Sequence, residues 1–143
     1  MKSAIKIFAL FAIILISSCK KDFKDRQDKT VLLTKPTGWV TVKIEQRAEN
    51  GTWNDITSDL NAFAVDNLLI FDPYYVWAIN EGPIKFPGNP QIVASGSWRF
   101  TDDATKIQFV GGNLAEITEL TETSLQYIVT ANGATNRFTY KHP

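Results

Sequence analysis

One cysteine, one histidine and no surplus of either charge are the first things the 143 residues show. A lone cysteine cannot form an internal disulfide. With a lone histidine beside it, no set of three or four nitrogen and sulfur ligands for zinc can assemble, and neither Ser-His-Asp nor Cys-His catalysis has its parts. The histidine, His142, is the penultimate residue, where chains usually fray, and reads as a solvated tail group. Basic and acidic residues number 15 each; from Thr30 onward there are 8 basic and 12 acidic, a net of −4. No basic face of the kind nucleic acids require is visible. Helix signals are also scarce: Ser58 caps at most a short turn through Asp59 to Ala64. Asp66, Asp72, Glu81, Asp102 and Glu116 are raw material for two-carboxylate glycoside hydrolysis. Yet Asp72 precedes Pro73 and Asp102-Asp103 opens a turn, so turn chemistry accounts for these two. No enzyme, no cofactor and no metal are expected.

Long hydrophobic runs are missing too, save one. Ile7 to Ile16 is apolar over ten residues, too short to span a bilayer but suited to the core of a signal peptide. Lys2 and Lys6 precede it, and Ser17, Ser18 and Cys19 follow. The ending I-S-S-C resembles the bacterial lipobox, which implies cleavage after residue 18 and a lipid on the Cys19 thiol. Two or three acyl chains hold a protein stably at a membrane, where one alone does so marginally. Residues 1–18 are thus read as a lipoprotein signal peptide. Residues 19–29, the anchor and the charged KKDFKDRQDK, form a flexible tether. That segment is similar to those of Bacteroidota lipoproteins, which implies the cell envelope and the outer membrane, facing either periplasm or surface.

Residues 30–143 read as one domain, and their dominant period is two. In VTVKIEQ, Val40, Val42 and Ile44 alternate with Thr41, Lys43 and Glu45. Gly96, Trp98 and Phe100 share one face of ASGSWRFT, and Ile107 and Phe109 point inward from KIQFV. Turns fall at Asn50-Gly51, Asp72-Pro73, Asp102-Asp103-Ala104, Gly111-Gly112-Asn113 and Asn132-Gly133. Eight or nine short strands joined by tight turns predict an all-β fold. Because closure removes sheet edges, a small antiparallel up-and-down barrel of about eight strands is favoured over a sandwich.

The order D-N-L-L-I-F, Y-Y-V-W, N-E-G-P-I-K-F-P, G-S-W-R-F-T-D-D-A-T-K-I-Q-F and I-T-E-L-T-E-T-S-L-Q-Y resembles the lipocalin-like domain of small Bacteroidota lipoproteins. The resemblance implies an antiparallel barrel with room for an internal ligand. Two departures stand out. Phe63-Ala64 and Phe86 occupy the regions where many such domains carry a cysteine pair; and, relative to true lipocalins, Thr37-Gly38-Trp39 matches the first-strand G-x-W only in part and no C-terminal helix follows the last strand.

Aromatic residues are the richest remaining clue. Phe71, Tyr75, Trp77, Trp98, Phe100, Phe109, Tyr127, Phe138 and Tyr140 fall in the expected strands. The candidate ligand-binding set is Trp77, Tyr75, Phe71, Trp98, Phe100 and Tyr127, with Trp77 and Tyr75 at a mouth beside the Gly82–Gln91 loop. Two readings fit these residues. In one, the membrane-anchored barrel holds a small apolar or amphipathic ligand. In the other, the barrel is filled and its loops bind an envelope protein or glycan.

Overall fold

The computed structural model describes residues 25–143; the signal peptide, Cys19 and the first part of the tether lie outside the described residues. Nine strands follow in order: β1 (Trp39–Ala48), β2 (Asn54–Asp55), β3 (Leu68–Phe71), β4 (Val76–Asn80), β5 (Ile92–Thr101), β6 (Lys106–Phe109), β7 (Leu114–Leu120), β8 (Ser124–Ala131) and β9 (Ala134–Lys141). Each strand from β3 to β9 pairs antiparallel with the next, and β9 pairs back onto β1. This is an eight-stranded, up-and-down, lipocalin-like barrel, with the two-residue β2 as an extra strand on β1.

Hairpin chemistry explains the connectivity. Asn50, Asn132 and Gly133 adopt the positive φ that tight turns demand, at 60°, 53° and 75°. Asp102, Asp103 and Ala104 are left-handed in succession, at 50°, 54° and 61°, a conformation that non-glycine residues adopt only at a cost. The chain secures this turn from outside: Lys29 Nζ donates to the Ala104 carbonyl at 2.9 Å. Register shifts between Thr41 and Lys43, Ile79 and Asn80, and Ile117 and Glu119 mark bulges. Such bulges add the local twist that lets a sheet curl shut.

The first bulge corrects the alternation expected of β1. Trp39 is fully buried and Thr41 faces the interior, but Val42 is 47% exposed. Past the bulge Ile44 stands opposite Phe138 on the inner face. Glu45 faces outward and is nevertheless buried, because Arg137 and Lys43 cover it at 2.6 Å and 2.8 Å. The Lys43 hydrogen bond, with help from Arg137, holds the Glu45 carboxyl below the usual carboxylate range against the cost of burial. The guanidinium groups of Arg137 and Arg47 lie 4.3 Å and 4.5 Å from the Trp53 ring centroid, fastening the β1–β2 hairpin to the outer wall.

Residues 25–33, divided in the sequence reading between tether and barrel, form a helix, α1. It closes the end of the barrel where β1 starts and β9 finishes. Leu33 is fully buried there, and Trp39 Nε1 donates to its carbonyl at 2.9 Å. Tertiary contact supplies what local propensity lacks: a nine-residue helix is marginal alone but stable when one end packs on a core. His142 is likewise no loose tail. Its backbone N–H donates to the Thr123 carbonyl at 3.0 Å, and its ring meets Trp39 edge-on at 5.9 Å.

Candidate functional site

Strand alternation sends two layers of side chains into the barrel. The layer near α1 is a packed floor. Trp39, Phe71, Trp98, Ile107 and Leu125 are all at most 1% exposed, with Leu33 below them. Trp98 sits edge-on to Phe71 at 5.5 Å and to Phe100 at 5.2 Å, the geometry that ring quadrupoles favour.

Above the floor the barrel is hollow. A cavity of about 520 Å³ is walled by Leu69, Trp77, Ile79, Phe109, Tyr127, Val129 and Phe138. It rises to a rim formed by Leu60, Ala64 and Asn67 before β3, Gly112 and Asn113 at the β6–β7 turn, and Ala131 and Asn136 at the β8–β9 hairpin. The rings interlock around it: Phe109 contacts Phe71, Trp77 and Tyr127 at centroid distances of 6.1, 5.6 and 6.3 Å. Among the described residues that line the cavity, none carries a charge.

Besides Thr41, three polar groups punctuate this apolar wall. Tyr127 and Tyr140 stack at 5.5 Å and share a hydrogen bond between their hydroxyls at 2.9 Å. The third is Trp77 Nε1, buried and without an acceptor among the described residues. Gly96, paired with Trp77 across the β4–β5 ladder, makes room for that indole: a β-carbon there would stand 2.8 Å from Nε1.

Burial raises both tyrosines, Tyr140 to about 12 and Tyr127 well above the usual phenol value, the latter aided by its neighbour's charge. In an unfolded chain both would ionise near pH 10. Because the folded values are raised, the stabilisation is whole below the unfolded value and is lost as pH climbs through about 10 to 12. The urea midpoint should therefore drop between about pH 8 and pH 11, and Tyr127→Phe should drop less over that interval. An equal drop in the variant would show that these phenols are not the cause.

The structure divides the six candidate residues. Trp77 and Tyr127 line the cavity. Phe71 and Trp98 belong to the packed floor, and Phe100 packs against it. Tyr75 is corrected most: it stands in the β3–β4 turn with φ of +67°, half exposed, at the closed end rather than at the mouth. Asp72 explains the displacement. Its Oδ1 accepts from the backbone N–H groups of Tyr74 and Val76 at 2.9 and 2.8 Å, so the turn extends through Tyr75 before β4 can begin. Ile79, Val129, Asn67, Asn113 and Asn136 also reach the cavity; period two carries a signal for Ile79, two residues after Trp77 in β4, and for Val129, two after Tyr127 in β8, but none for the asparagines.

At the rim, two loops meet. Phe63 and Phe86, one from each loop, touch edge-on at 5.2 Å. Asp66 Oδ2 accepts from Ile84 N–H at 2.8 Å, and a β-carbon at Gly82 would lie 2.4 Å from Asp66 oxygens. Glycine at position 82 therefore permits the two loops to close on each other. The chain matches no known family model, no curated protein and no solved structure.

Proposed function

We propose that the protein is a membrane-anchored lipoprotein of the bacterial envelope whose barrel holds a small apolar or amphipathic ligand, without catalysis. The observation that carries this reading is the cavity. Its volume of about 520 Å³ falls within the roughly 300–1,000 Å³ typical of small-molecule sites, as does its mostly apolar wall with a few placed polar groups. The lipobox-like ending at Cys19 supports the anchor. The lipocalin-like order of motifs supports a carrier rather than a filled barrel docking an envelope protein or glycan.

Native mass spectrometry of Lys20–Pro143, after exposure to a lipid and metabolite extract of the source cells, tests it. A retained, saturable extra mass is expected, and Trp77→Ala should release most of it by removing one wall of the cavity. A bare protein mass at every extract concentration would instead favour the filled barrel and its partners.

A further inference from the structure

We infer that the ligand's polar end is a protonated amine, seated against Glu81 in a side pocket at the barrel mouth. This rests on the carrier reading above and adds the headgroup to it. Glu81 directly follows β4 and is only 3% exposed. Its Oε1 accepts from Asn89 Nδ2 at 2.7 Å, but its Oε2 is buried with no hydrogen-bond partner among the described residues. No basic side chain among the described residues forms an ion pair with it. The basic residue of its own loop, Lys85, is instead engaged with the Gln91 side chain.

A buried carboxylate without a counter-charge is costly, and such groups are normally satisfied by a cation or a strong donor. Glu81 borders a pocket of about 140 Å³ together with Asn61, Phe63, Asn67, Phe86 and Asn89. That space suits a single small group. An ammonium offers three donors and no acceptor, which fits an unpartnered carboxylate oxygen in a pocket that Asn61, Asn67 and Asn89 also line. Phe63 and Phe86 line the same pocket, and an aromatic face within about 6 Å attracts a cation.

The side pocket shares Ala64 and Asn67 with the barrel cavity, so a chain lying in the barrel can turn its head toward Glu81. A fatty acid would meet the opposite situation. The barrel wall offers its carboxylate no positive partner, and the mouth presents both Glu81 and Asp66, whose Oδ1 is likewise buried and unpartnered among the described residues.

The test uses Lys20–Pro143, which contains every strand and every core residue, and three probes with the same twelve-carbon tail. Dodecylamine, dodecanol and dodecanoate are titrated at neutral pH, each below its micelle or solubility limit, against a bound neutral fluorescent probe, N-phenyl-1-naphthylamine. Dodecylamine should displace the probe at a concentration roughly tenfold lower than dodecanol, since hydrogen bonds to charged groups are the strong ones, and dodecanoate should be weakest. Glu81→Gln, which keeps the shape and the Asn89 contact, should bring the amine to the alcohol's affinity. The alcohol should stay within about twofold, which also certifies the fold. Equal binding of amine and alcohol, or an amine preference that survives Glu81→Gln, overturns the headgroup assignment and leaves the carrier reading standing. Failure of the naphthylamine and all three chains to bind overturns both.

Discussion

Replacing Trp98 with alanine is expected to cost about 3–5 kcal/mol of folding stability, the range found when a buried tryptophan is truncated. Trp98 is 1% exposed, sits edge-on to two phenylalanines, and lies under the Tyr75 ring at 5.5 Å. Its Nε1 also donates to the Asp72 carbonyl at 3.3 Å. Removing it empties the floor and releases the β3–β4 turn together. For a domain of this size the thermal midpoint should fall by at least about 10 °C. Tyr74→Ala is the matching control: that ring is 84% exposed, and its loss should change stability by less than about 0.5 kcal/mol. Calorimetry or urea unfolding would decide. A Trp98→Ala protein as stable as its parent would mean that the floor is not close-packed and that the cavity extends to α1.

The second large effect concerns location. On the proposed lipoprotein reading, Cys19→Ser removes the thiol that would accept the lipid, so the chain should leave the membrane fraction after carbonate washing and keep residues 1–18 uncut. The mechanism is simple: without acyl chains, the free energy of burying methylenes in the bilayer, about 0.8 kcal/mol each, is lost. A variant that is cleaved normally and still sediments with membranes would refute the lipid anchor. Because the barrel's strands all begin at or after Trp39, the same variant should keep its ligand binding, which separates anchoring from carriage.

Much of the barrel was legible in the residues because antiparallel hairpins are local objects. Asn50-Gly51 and Asn132-Gly133 turn where tolerance of positive φ predicts, with Asn50, Asn132 and Gly133 in that region, and Asp102-Asp103-Ala104 also turns where expected, held left-handed by its contacts. Gly96, Trp98 and Phe100 share an inner face as the alternation requires. The misreadings have local causes of another kind. A bulge carries no composition of its own, so the register change after Thr41 was invisible and Val42 was assigned to the wrong face. Tyr75 looked like a strand residue because its neighbours do; the Asx turn of Asp72 overrode that pattern. Helix α1 was hidden because its stability comes from Leu33 and Lys29 docking on distant residues, not from its own sequence.

The candidate site was less legible than the fold. Nothing about Trp77 and Trp98 as isolated positions distinguishes cavity wall from packed floor; both are aromatics on inner faces. Their fates diverge because α1 and Leu33 fill one end of the barrel, while at the other, among the described residues, loops and asparagine-bearing turns stand above the rings. Glu81 was recognised merely as one carboxylate among several. Its burial depends on the contact between the loops on either side of β3 and β4, and Gly82 permits that contact by having no side chain.

Period, φ preference and composition are properties of neighbouring residues, so the residues alone were enough for the class of fold, most of the turns and the inward rows of aromatics. It took the three-dimensional packing to make the barrel hollow above a packed floor, to stopper one end with a helix, and to bury Glu81 with no counter-charge among the described residues. Those features arise when segments far apart in the chain close on one another, and closure is governed by the space left between side chains rather than by any one stretch of them.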